Sequence, residues 1–174
     1  RHSRTARAVR ERQSPGENGL ALGMARRVAH LWQGFDWAMI DSPALLCVLV
    51  VNALAASRQL VIPVQTVFRA VKGMERMVGT LAMINRWRKQ ALPYQIVPTL
   101  FDRRTQASLS TLKLLRDTYG EQVWQGYIPV DTRLRDASRK GVTPSQFDNK
   151  SRGLLAYRAL LKHLLTYKPA AQVA

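Results

Sequence analysis

At 174 residues with 47% hydrophobic side chains, the chain can bury a sizeable core and is not of disordered composition. Its longest apolar run, Ala44 to Val51, falls far short of the roughly 18 residues a membrane-crossing helix requires, and one cysteine, Cys47, excludes an internal disulfide framework. A formal charge of +16 attracts polyanions (nucleic acid, acidic lipid or nucleotide phosphates), the alternative being an ordinary basic surface.

Residues 1–19 carry five Arg by position 12, then Ser-Pro-Gly and Asn-Gly, and read as a basic, flexible segment. No apolar stretch backs these arginines, so they do not form a secretory signal, and the expected compartment is the cytoplasm. Leu20 to Trp32 reads as a short helix with Leu22, Val28 and Leu31. "WAMIDS", Trp37 to Ser42, reads as a strand buried on both faces. In an open α/β sheet the ligand sits just beyond the carboxyl end of such a strand, at Asp41.

Strand and helix patterns then alternate. Residues 45–57 read as helix, and Gln59 to Val64 as a second buried strand. A long helix carries Val71, Met74, Val78, Leu81 and Ile84 at spacings of three and four. "YQIVPTLF" is a third strand, "TQASLSTLKLLRDTYG" a helix closed by Gly120, and "VWQGYIP" a fourth strand. "NKSRGLLAYRALLKHLLTY" is an amphipathic helix with Leu154, Tyr157, Leu161 and Leu164 on one face. The alternation predicts an α/β fold, a mostly parallel sheet flanked by helices, over residues 20–174.

An aliphatic strand ending in Asp41 has the form of a Walker B element, whose carboxylate helps hold the magnesium that accompanies nucleotide phosphates; a cap on the following helix is the alternative. Asp102 and Thr105 suit helix caps, and Pro129 a strand end. Arg139, Lys140, Lys150 and Arg152 suit either a solvated face or contacts to nucleic acid. Cys47 reads as a core residue, and His2, His30 and His163 show no ligand spacing. No serine or cysteine hydrolase triad is evident.

Taken in order, "IDSPA", "LLCVLVVNALAAS", "QLVIPVQTVFRAVKGMERM", "PTLFDRRTQAS" and "YIPVDTRLRDASRKGVTPSQFDNKSRGLLAYRAL" resemble the C-terminal two-thirds of a ParA/MinD-type P-loop ATPase of the ParA partition family, most of all the ParA-like proteins that accompany chemotaxis genes. The resemblance covers about residues 13 to 168. It implies that Asp41 is the carboxylate near magnesium and the attacking water, and that Ser42 and Pro43 shape the switch loop. It implies that Asp102, Arg103, Arg104 and Thr105 approach the base and sugar, and that Ile128, Pro129, Val130 and Asp131 flank adenine. Arg139, Lys140, Lys150 and Arg152 would grip nonspecific DNA in an ATP-bound homodimer. ATP and magnesium are the implied cofactors, and DNA or a polar chemotaxis array the implied partner, at the nucleoid or cell pole.

No Gly is followed by Lys anywhere in the chain, so no P-loop, G-x-x-x-x-G-K-[ST], can be formed by it. In the family this loop follows the first strand, N-terminal to every segment quoted. Ala44 stands where a second proline is usual, Val67 where an acidic residue is frequent, Arg69 at a commonly apolar place and Cys47 at a small one. These departures imply a relaxed copy whose hydrolysis is lost. Two alternatives remain: a non-catalytic binding module of the same scaffold, and a cobyrinic-acid-diamide-synthase-like enzyme, which the short tail after residue 168 disfavours. Without the central P-loop strand, the chain alone is expected to melt weakly or to associate; a sharp, cooperative melt of a clean monomer in calorimetry with light scattering would contradict this.

Overall fold

A computed structural model describes residues 35–42, 48–86, 88 and 90–167. The expectations for residues 1–34, Pro43 and Cys47 lie outside them. The chain divides into two compact units, one of residues 1–60 and 77–92, the other of residues 61–76 and 93–174.

In the first unit, helix α1 (Val48–Ala56) buries Val50, Ala53 and Leu54. A helix ends with carbonyls that have no intrahelical donor. Here Arg88 supplies donors: its guanidinium reaches the carbonyls of Leu54 at 2.7 Å, Ala55 at 3.1 Å and Ser57 at 3.2 Å. Leu81 and Leu92 are also fully buried, and the Leu92 N–H donates to Asn85 Oδ1 at 2.9 Å.

The buried strand expected at Trp37 to Ser42 is absent. The stretch has no helix or strand, and Trp37 is 57% and Met39 81% exposed. A strand needs a neighbour to pair its backbone groups, and none of the described residues pairs with this stretch. Asp41 is accordingly exposed and is not presented by a sheet.

The second unit is built on strands β1 (Leu60–Gln65) and β2 (Tyr94–Thr99); helix α2 (Phe68–Asn85) lies between them in the chain, its residues 68–76 belonging to this unit and 77–85 to the first. The strands run side by side in the same direction, with the Thr66 N–H donating to the Thr99 carbonyl at 3.0 Å beyond β1. Strand β1 is not buried on both faces as expected: Ile62 and Val64 face inward while Val61, Pro63 and Gln65 are exposed. Alternation places the Pro63 nitrogen on the edge away from β2, where a missing donor is tolerated. Strand β2, by contrast, buries Gln95 through Pro98.

The fourth strand expected at residues 123–129 is reduced to two parallel bridges, Ile96 with Val123 and Phe101 with Pro129. Between them β2 advances five residues and the partner six, the mark of a one-residue bulge. Pro98 provides the reason. The Ile96 and Pro98 carbonyls accept from the Trp124 and Ile128 N–H groups at 2.9 and 2.8 Å, so both residues face this neighbour, yet Pro98 has no N–H to give. The chain turns out at Gln125 and Gly126, where a Cβ on Gly126 would stand 2.5 Å from the Trp124 ring.

Helix α3 (Gln106–Tyr119) starts at Thr105, whose hydroxyl accepts from the Ser108 N–H, and ends at Gly120 with φ 49°, a left-handed value that glycine adopts readily. Helix α4 (Thr132–Arg139), the single turn α5 (Pro144–Phe147) and helix α6 (Arg152–Thr166) follow. The inward face of α6 is not the one expected. Gly153 and Leu160 are buried, and Leu160, Ala156 and Leu164 pack with Val97, Trp124 and Ile128, while Tyr157 and Leu161 are exposed. Above this core the buried Gln95 amide donates to the Gln122 carbonyl at 2.9 Å. The Gln95 Oε1 therefore faces His163 Nε2 at 3.1 Å and accepts a hydrogen bond from its N–H.

Adjacent leucines on α3 test the burial pattern: Leu115 is fully buried and Leu114 is 42% exposed. Leu115→Ala should cost about 2–5 kcal/mol in urea unfolding and Leu114→Ala less than about 1 kcal/mol.

Candidate functional site

The carboxyl ends of β1, β2 and the 123–130 segment lie at one edge of the second unit, where ligands bind in open parallel sheets. The edge is laced together by hydroxyls. Thr66 is fully buried, and its Oγ1 lies 3.1 Å from Ser108 Oγ and 3.4 Å from the Leu100 carbonyl. The Asp102 N–H donates to the same Ser108 hydroxyl at 3.4 Å. One serine of α3 thus ties the turn after β1 to the turn after β2. Leu100 between them has φ 50°, an uncommon conformation for a leucine that costs about 1 kcal/mol or more and is characteristic of ligand-facing turns.

The "DRRT" turn forms mainly with itself. Asp102 Oδ1 accepts from the Arg104 N–H and Nε–H at 3.0 Å each, and Oδ2 from its Nη2 at 2.8 Å. These bonds hold the Asp102 carboxyl down at about 2, Arg104 being the dominant cause. The Thr105 hydroxyl donates to the Asp102 carbonyl at 3.1 Å while capping α3. Arg103 is exposed and makes no ion pair or hydrogen bond among the described residues. Thr105 therefore has the helix-capping role legible from sequence, whereas Asp102 caps no helix and closes the turn before it onto Arg104, which leaves Arg103 as the cation of this turn without an ion pair among the described residues.

On the other side of β2, the Val130 N–H donates to the Phe101 carbonyl at 3.0 Å, so Ile128, Pro129 and Val130 continue the edge, with Val130 exposed. The Tyr127 ring lies against Phe101 with centroids 4.2 Å apart. The Asp131 side chain caps α4 instead of projecting from the edge.

The expected nucleic-acid contacts group on α4 to α6, which pack on one another. Arg139 is in the last turn of α4, and Lys140 ends it with its ammonium 5.0 Å over the Phe147 ring. Lys150 and Arg152 lead into α6. Arg139, Lys150 and Arg152 are exposed and unpaired among the described residues, whereas Arg133 is held by Asp148 at 3.0 Å. The short helices α4 and α5 were missed from hydrophobic pattern alone. Their caps were nevertheless readable: Asp131 ahead of α4, and the Thr143-Pro144-Ser145-Gln146 capping box of α5.

Asp41 and Ser42 are exposed and belong to the first unit. Among the described residues no three His, Cys, Asp or Glu side chains cluster to hold a metal. A magnesium role for Asp41 draws only on its carboxylate, and no residues of the chain form a P-loop cradle for phosphates.

A family model described as an AAA domain matches residues 13–94. The sporulation initiation inhibitor protein Soj of Bacillus subtilis is 28% identical over 81% of the chain and 56% of its own length. The chromosome-partitioning ATPase Soj of Thermus thermophilus is 33% identical over 76% of the chain and 54% of its own length. The chain thus spans about half the length of the curated relatives it matches. The crystal structure of cobyrinic acid a,c-diamide synthase from Mycobacterium smegmatis with bound ATP analogue and magnesium superposes with a TM-score of 0.68 at 29% identity, over 91% of the chain and 61% of that structure.

The Asp102 carboxyl should titrate at about 2 in a pH series of its carbon-13 NMR shift, and Arg104→Ala should return it toward 3.8. Because the folded value is depressed, the pair's contribution is present above pH 3.8 and is lost as pH falls through about 2.

Proposed function

Because the chain belongs to the ParA/MinD-type family of P-loop ATPases, we propose that it acts in partition or positioning, holding duplex DNA without reading its sequence. In the complete protein, ATP and magnesium would close a homodimer, the dimer would hold DNA or a polar chemotaxis array in the cytoplasm, and hydrolysis would release it. In this chain the hydrolytic step is lost, because no Gly-Lys pair exists to build the phosphate cradle. Magnesium, when bound, would neutralise phosphate charge beside Asp41. The chain's own residues offer a base-side edge at Leu100 to Arg103 and Ile128 to Val130. None of the described helices is long and apolar enough to cross a membrane.

The observation that carries the reading is the set of exposed cations on α4 to α6. Arg139, Lys150 and Arg152 spend no charge on neighbouring carboxylates and so remain available to phosphates. A second reading, amide synthesis, is favoured by the likeness to cobyrinic acid a,c-diamide synthase from Mycobacterium smegmatis. Glutamine-dependent, ATP-driven amidation of a corrinoid acid by the complete protein would support it and displace partition.

The chain should bind unrelated duplexes equally, with affinity falling steeply with salt in fluorescence anisotropy. Replacing Arg139, Lys140, Lys150 and Arg152 by Ala should flatten the log–log salt slope by about one per lost phosphate contact. An unchanged slope would remove these residues from the interface, and no binding by the parent chain would overturn the reading.

A further inference from the structure

Two helices begin at the same carboxylate. Asp131 Oδ1 accepts from the Arg133 N–H at 2.9 Å in the first turn of α4, and Oδ2 accepts from the Gly153 N–H at 2.7 Å in the first turn of α6. Each helix start presents unpaired N–H groups and a partial positive charge, and a single anion here serves both. The approach depends on Gly153, where a Cβ would stand 2.7 Å from Leu134 Cδ1 and 3.1 Å from both Cβ and Oδ2 of Asp131.

The loop between the helices is fastened at further points. Arg133 of α4 pairs with Asp148 at 3.0 Å, Asp148 Oδ1 accepts from the Lys150 N–H at 3.0 Å, and the buried Ser151 caps α6 through the Leu154 N–H at 3.3 Å. Arg139 and Lys140 ride on α4, and Lys150 and Arg152 on the approach to α6. Their spacing is therefore set where the helices meet. Asp131 itself directly follows Val130, whose N–H is bonded to the sheet at Phe101.

We infer that Asp131 is a positioning residue that joins α4 and α6 into one body and so sets the spacing of the cations offered to a polyanion. Its side chain is committed to the backbone N–H groups of Arg133 and Gly153. It orients the cations that can contact a polyanion. The joint is a statement about the two helices; its consequence for DNA rests on the function proposed above.

The test uses the whole chain and two variants. Asp131→Asn keeps the shape but offers one acceptor oxygen, so its NH₂ must oppose one of the two N–H donors. Gly153→Ala leaves the α4 cap in place and pushes α6 off it. Amide hydrogen exchange should accelerate about fivefold to tenfold at Arg133, Gly153 or both in Asp131→Asn, and at Gly153 in the second variant, with the far-ultraviolet circular dichroism unchanged. Duplex DNA titrations on the folded proteins should show a salt slope flatter by about one or two. Unchanged exchange in both variants overturns the joint, and altered exchange with the parent slope overturns its role in spacing the cations. A purely stabilising contact would lower the melting temperature and leave that slope alone. If the parent chain ignores DNA, the polyanion reading fails and the exchange measurements still decide the joint. Should Asp131→Asn not fold, Gly153→Ala alone supplies both readouts.

Discussion

Strand β2 must satisfy hydrogen bonds on two edges with one donor missing, and much of the second unit follows from that constraint. Its residues are buried on both faces, so an unpaired backbone group there has no water to turn to. Toward β1 the pairing continues past the strand end, from Thr66 to Thr99. Toward residues 123–130 the ladder is interrupted opposite Pro98, the neighbour gains one residue, and Gly126 absorbs the excursion beneath the Trp124 ring. Pairing resumes at Ile128 and Phe101, which brings Val130 to the carboxyl edge and places Asp131 just beyond it. The start of α4 at Thr132 thus follows directly on the last bond of this edge, with Asp131 as its cap.

The edge so formed uses its acidic groups on its own backbone. Asp102 is taken up by Arg104 and Asp131 by two helix ends, and the neutral caps Thr105 and Ser151 complete the turns. Cations are treated differently: the chain has far more of them than carboxylates, so Arg103, Arg139, Lys150 and Arg152 make no ion pair among the described residues. A surface arranged this way holds an extended polyanion more naturally than a small acidic molecule, since the cations are spread over several elements and do not converge on one point.

Alternation of apolar and turn-forming segments made α1, β1, α2, β2, α3 and α6 legible from the sequence, because each carries its own periodicity or its own cap. What failed did so for non-local reasons. "WAMIDS" has the composition of a buried strand, but composition cannot supply the neighbour such a strand needs, and Trp37 and Met39 stand exposed. "VWQGYIP" looked like one continuous strand because the interruption is dictated by Pro98 in another segment. The inward stripe of α6 was read correctly at Leu164 but not at Tyr157 and Leu161, since Leu161 is as apolar as Leu160, and only the Val97 and Trp124 surface decides between them. At the candidate site the residues of the "DRRT" and "IPVD" segments were identified by resemblance, yet one of the two bonds of Asp131 depends on a glycine 22 positions away.

The clamp at the end of α1 bears on the order in which this chain can acquire structure. The carbonyls of Leu54, Ala55 and Ser57 wait for a guanidinium that lies 34, 33 and 31 residues further on. On a ribosome that interval must first be made and must leave the exit tunnel. Until Arg88 emerges, α1 is an apolar helix with an open end, a state suited to holding by a chaperone and ill suited to independent folding. Closure of the end of α1 is therefore late relative to the synthesis of the helix, and truncation before residue 88 would leave the hydrophobic segment Val48–Ala56 without its terminator.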